Sequence, residues 1–107
     1  MTSWHPVGDV SDFEIGWPGE VRIGSQQIAV HHTPEGFFAT GAICTHEDES
    51  LIDGLLEGCE IECPRHMAIF DVRTGEVLCA PASVPLPTYP CEVRDSAVWV
   101  RVPDEPG

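Results

Sequence analysis

Glycine and proline interrupt this chain every few positions, ten of each in 107 residues. No window of twelve residues sustains the 3.6-residue apolar period of an amphipathic helix, so long helices are not expected. What remains is a series of short alternating runs. Ile28, Val30 and His32 fall on one face with Ala29 and His31 on the other, and Val98, Val100 and Val102 oppose Ala97, Trp99 and Arg101. Such alternation marks half-buried strands. Further strands are expected at 21–23, 36–43, 61–63, 68–72, 77–79 and 89–93. Turn residues separate them: Gly24-Ser25, Pro34-Glu35-Gly36, Arg73-Thr74-Gly75 and Arg94-Asp95-Ser96. The expected fold class is all-β, with several small antiparallel sheets forming a sandwich or a partly open barrel.

The length suits one domain, spanning 1–107, with one modest core. Eighteen Asp and Glu against five Arg give a formal net charge of -13. A chain this acidic repels nucleic-acid phosphate and anionic lipid, and favours partners with a basic surface. Residues 1–10 have no basic segment followed by an apolar stretch, so no signal peptide is expected. Apolar runs of four residues or fewer fall far short of the roughly 20 needed to span a membrane. Five cysteines, an odd number without an export signal, suggest metal ligation or buried thiols in a reducing, cytoplasmic setting.

One segment departs from the strand pattern. Between positions 47 and 62 stand seven acidic residues, no basic ones, and the aliphatics Leu51, Ile52, Leu55, Leu56 and Ile61. It reads as a looped insert with a local apolar cluster. Two ligand pairs bracket it, Cys44-Thr45-His46 and Cys63-Pro64-Arg65-His66, with sixteen residues between His46 and Cys63. Two thiolates and two imidazoles from two loops can hold one tetrahedral zinc ion. They can equally hold a [2Fe-2S] cluster with both cysteines on one iron and both histidines on the other.

The pairs C-T-H and C-P-x-H at this separation resemble the Rieske motif. Ile61-Glu62, the run Phe70-Asp71-Val72-Arg73-Thr74-Gly75 and Ala80-Pro81 extend the likeness. The chain is similar to the small Rieske-type ferredoxins of bacterial aromatic-ring-hydroxylating dioxygenases such as the naphthalene and biphenyl systems. That resemblance implies a Rieske fold with a cluster-binding subdomain at approximately 43–82. It implies one [2Fe-2S] cluster per chain, with Cys44 and Cys63 on the inner iron and His46 and His66 on the outer, solvent-proximal iron. Pro64 would stiffen the second ligand loop. Pro81 would sit in a loop covering the cluster.

Departures refine the expectation. High-potential respiratory Rieske proteins carry an extra cysteine in each ligand loop, where Glu49 and Arg65 stand here, and a serine where Ala68 stands. Without that disulfide and hydroxyl the potential belongs at the low end of the Rieske range, about -150 mV. Met67 stands where many relatives have Gly or Gln. The resemblance implies a one-electron carrier, not itself an enzyme. A flavoprotein reductase would oxidise NADH or NADPH and reduce it, and a terminal oxygenase would receive the electron. A cytoplasmic monomer with transient, salt-sensitive docking is expected, its encounter steered by Glu47, Asp48 and Glu49. Two other assignments compete: a Rieske subunit of a nitrite-reductase-type or other redox complex, and a zinc-stapled interaction module. His5, His31 and His32 read as solvated or strand-face histidines, and Cys59, Cys79 and Cys91 as small buried or half-buried thiols. Trp4, Trp17 and Trp99 read as core or rim aromatics, and residues 104–107 as a frayed tail.

Overall fold

A computed structural model describes residues 1–44, 50–64, 68–79 and 84–104. His46, Glu47, Asp48, Glu49, Arg65, His66, Met67 and Pro81 lie outside the described residues.

Three antiparallel sheets form an all-β fold with no α-helix and no closed barrel among the described residues. In the first, β1 (Thr2–Asp9) and β10 (Cys91–Arg94) flank β11 (Ala97–Pro103). In the second, the order is β2 (Gly19–Ile23), β3 (Gln26–Thr33), β4 (Gly36–Gly41) and β9 (Thr88–Tyr89). The third runs β5 (Leu55–Glu57), β6 (Glu60–Glu62), β7 (Ile69–Asp71) and β8 (Val77–Cys79). Tight turns join the hairpins where the sequence placed Gly, Asp and Ser. Asp95 and Ser96 both adopt positive φ, 49° and 68°, between paired Arg94 and Ala97, the twist that a two-residue hairpin requires. The expected strand at 89–93 is instead two strands in different sheets. Pro90 has no N–H to donate, so the ladder breaks there and the chain crosses from β9 to β10.

The looped insert is more regular than expected. Ser50 caps a 3-10 turn at Leu51–Asp53 by accepting from the Ile52 N–H at 3.2 Å. The β5–β6 hairpin follows, turning at Gly58 and Cys59.

The core also differs from the expected single one. Phe13, Ile28, Val30, Ala39, Val98, Val100 and Val102 form one buried cluster between the first two sheets. Cys44, Leu51, Leu56, Ile61, Cys63, Phe70, Val72 and Leu86 belong to another. The β3–β4 ribbon separates them: Phe37 packs on the first and Phe38 on the second. Consequently β3 is buried on both faces rather than half-buried, with Ala29 and His31 as inaccessible as Ile28 and Val30. Strand β11 keeps the alternation expected of it. Of the expected frayed tail only Asp104 is described, and it is tied down: its N–H donates to the Met1 carbonyl at 2.7 Å and its carboxylate accepts from Ser3 Oγ at 2.6 Å.

Candidate metal centre

Each ligand pair begins at the end of a strand of known register. Cys44 follows β4, and the chain closes behind it through an Ile43–Ser50 bridge and a Leu51 N–H donating to the Ala42 carbonyl at 2.7 Å. The first loop therefore leaves and rejoins the scaffold at a fixed base. Cys63 follows β6, and its N–H donates to the Ala68 carbonyl at 2.7 Å, closing the second loop at the top of the β6–β7 hairpin.

Both cysteines are buried, at 2% and 0% exposure, in the same apolar cluster, and neither is half of a disulfide. Ionised sulfur in such surroundings is costly unless a cation neutralises it, so this donor set suits a metal. Two soft donors on the sheltered side of two loops, with an imidazole expected further along each, fit a mixed Cys2His2 [2Fe-2S] centre. The structure thus brings Cys44 and Cys63 into one cluster. His46 and His66, expected from the sequence to complete the set, lie outside the described residues.

The remaining thiols divide by position. Burial raises the Cys59 and Cys91 thiols, Cys91 to about 12, so both stay neutral. Cys79 is exposed, contrary to expectation, because it lies on edge strand β8. Around the second hairpin Glu57 and Glu60 are exposed and Glu62 half-buried, with no basic residue in positions 50–64. Trp4 and Trp99 flank the Arg94 guanidinium at 4.7 and 4.9 Å to their ring centres, a rim arrangement, whereas Trp17 is 65% exposed.

The histidines outside the motif are not solvated as a group. His32 Nδ1 donates to the Phe13 carbonyl at 2.8 Å, and its ring stacks on Phe37. His31 is fully buried, and its tautomer follows from its neighbour. Thr40 Oγ1 donates to the Gly41 carbonyl, so toward His31 Nε2, 2.9 Å away, it can only accept. Nδ1 is then a bare acceptor with no partner among the described residues. Burial pushes the imidazole down to about 4. Between that value and its ordinary 6.5 the unfolded chain binds the extra proton, so stability falls as pH drops through this window, by about 3 kcal/mol in total. Urea midpoints at pH 7 and 4.5 test this: His31→Gln is expected to shrink the difference, and an undiminished difference refutes the assignment.

Comparison with known proteins agrees with this geometry. Residues 3–90 match the family model described as the Rieske [2Fe-2S] domain. The chain is 34% identical over 102 residues to the anthranilate 1,2-dioxygenase ferredoxin subunit of Burkholderia cepacia, covering 95% of this chain and 94% of that one. Among solved structures, a chain in the complex of reduced oxygenase and oxidised ferredoxin of carbazole 1,9a-dioxygenase is 39% identical, with a TM-score of 0.85 and 91% of each chain covered. The Sphingomonas yanoikuyae B1 ferredoxin superposes with a TM-score of 0.88 at 31% identity, covering 94% of this chain and 100% of that one.

Proposed function

The chain belongs to the Rieske [2Fe-2S] domain family, and from that premise we propose that it is the electron-transfer ferredoxin of an aromatic-ring-hydroxylating dioxygenase system. It is a carrier and not a catalyst. The observation that supports this reading most is the pair of buried, unbridged cysteines at the bases of two separate loops, in a chain that matches dioxygenase ferredoxins over nearly its whole length.

Cys44 and Cys63 would hold one iron as thiolates, and His46 and His66 would hold the other through one ring nitrogen each. A bound cluster supplies reversible one-electron redox capacity. Every other role falls to the chain. The neutral imidazoles make the site less negative than four thiolates would, which raises the potential. Pro64 fixes φ in the second loop and removes one donor.

The partners are a flavoprotein reductase, which delivers electrons from NADH or NADPH, and a terminal oxygenase. Net charge of -13 speeds encounter with basic surfaces on both, and Glu47, Asp48 and Glu49 carry part of it beside His46. No helix of the described residues is long and apolar enough to cross a membrane, and unbridged cysteines suit the reducing cytoplasm.

Iron and acid-labile sulfide analysis of anaerobically purified protein, with EPR of the dithionite-reduced state, tests the reading. Iron with equimolar sulfide and a Rieske-type signal are expected; zinc in a colourless protein would overturn it. In the same preparation His66→Cys is expected to retain iron while its midpoint potential falls by on the order of 100 mV, since an anionic ligand replaces a neutral one. An unchanged or higher potential refutes the role given to the histidine.

A further inference from the structure

The β3–β4 turn meets the third sheet through a chain of polar contacts that belongs to neither ligand loop. Arg73 donates from Nε to Asp71 Oδ1 at 3.1 Å and from Nη2 to Oδ2 at 3.0 Å, a two-pronged pair, and its backbone N–H also donates to Asp71 Oδ1 at 2.8 Å. Its remaining arm, Nη1, reaches both carboxylate oxygens of Glu35 at 3.1 Å. Cys59 Sγ lies 3.3 Å from Glu35 Oε2 and 3.6 Å from Thr33 Oγ1. Thr33 Oγ1 donates to the Gly36 carbonyl and accepts from the Glu35 N–H, so the single thiol hydrogen is shared between two acceptors, of which the carboxylate is nearer and charged.

Glu35 therefore grips the third sheet at two points, Arg73 after β7 and Cys59 before β6. These points are themselves joined, because the Val72 N–H donates to the Cys59 carbonyl at 2.9 Å. Between them in sequence lies the whole β6–β7 hairpin, with Cys63 at its far end. An exposed ion pair by itself contributes little, and Glu35 and Arg73 are 58% and 44% exposed. Here, however, Asp71, only 12% exposed, already holds the guanidinium in place, so Glu35 meets an oriented partner and much of the usual entropy loss is absent.

We propose that Glu35 is a positioning residue for the second ligand loop: through Arg73 and Cys59 it locks the base of the β6–β7 hairpin to the scaffold and so holds Cys63 steady. This rests on the electron-carrier reading for its consequence at the metal, but the lock itself does not depend on it. Nothing in the sequence motif points to it, since Pro34-Glu35-Gly36 reads only as a turn.

The test compares the wild-type holoprotein with Glu35→Gln, Arg73→Gln and the double variant. Amide exchange at Val72 and Cys63 is expected to quicken about five-fold in Glu35→Gln, with iron content per chain unchanged. Iron release to a ferrous chelator is expected to quicken by a similar factor, and the reduced EPR signal to broaden as ligand geometry becomes less uniform. In the double variant the two single effects should fall short of adding, because both changes break the Glu35–Arg73 link while only Glu35→Gln also weakens the Cys59 contact, and Glu35→Asp should restore part of the protection. Unchanged exchange at Val72 and Cys63, or effects of the two single changes that add, would overturn the lock. Quickened exchange in Glu35→Gln, together with a wild type that holds no iron and sulfide, would leave the lock standing and overturn the carrier reading instead.

Discussion

Cys63→Ser is expected to abolish iron and sulfide binding while leaving the far-UV circular dichroism of a β protein. The sulfur sits in the apolar cluster with no solvent exposure, where a hydroxyl is neither soft nor ionised and makes a poor iron ligand. The hydrogen bond from the Cys63 N–H to the Ala68 carbonyl is backbone to backbone and is retained after the change. The buried hydroxyl costs about 1 to 3 kcal/mol, which weakens the fold without dissolving it. Cys79→Ser is the control: that thiol is exposed on an edge strand and should leave iron content unaltered. Full iron in Cys63→Ser, measured by metal analysis and visible absorption, would remove Cys63 from the ligand set.

Gly75→Ala is expected to destabilise the protein by about 4 kcal/mol or more, a large share of the roughly 5 to 15 kcal/mol that holds a small domain together. Its φ is +79°, and a Cβ there would lie 2.1 Å from the Leu86 carbonyl oxygen and 3.1 Å from its carbon. The obstruction is backbone, so no rotamer relieves it. Both segments of this crossing are pinned as well: the Gly75 N–H donates to the Asp71 carbonyl at 2.7 Å, and its own carbonyl accepts from the Leu86 N–H at 2.9 Å. Gly36→Ala isolates the backbone component, since its φ of +124° is also unfavourable but nothing lies within 4 Å. Urea denaturation should show a far larger midpoint loss for Gly75→Ala than for Gly36→Ala. Equal losses would mean that the crossing at Leu86 gives way easily.

The parts of the fold that were legible in the sequence are those governed by near neighbours. Val98, Val100 and Val102 alternate because one face of β11 meets the core and the other does not, a rule local to the strand. Asp95 and Ser96 mark a hairpin because their positive φ is set by the turn itself. That Cys44 and Cys63 come together in one cluster was legible for a different reason: Cys-x-His and Cys-x-x-His pairs carry chemistry in residue identity, whatever surrounds them. Strand β1 was not legible, since Trp4, His5 and Pro6 show no alternation and pair only because β11 offers an unfilled edge.

Residue identity and spacing alone thus determined an all-β chain, a strongly acidic composition and two closely spaced Cys-His pairs, because each is a property of composition or of a few adjacent positions. Only the tertiary structure decided that β3 and β4 separate two apolar clusters, that His31 is sealed between them with a bare Nδ1, and that Glu35 reaches across to Arg73 and Cys59. Each of those depends on residues far apart in the chain, 38 positions for Glu35 and Arg73, and burial and contact at that range follow from how sheets stack rather than from any local pattern.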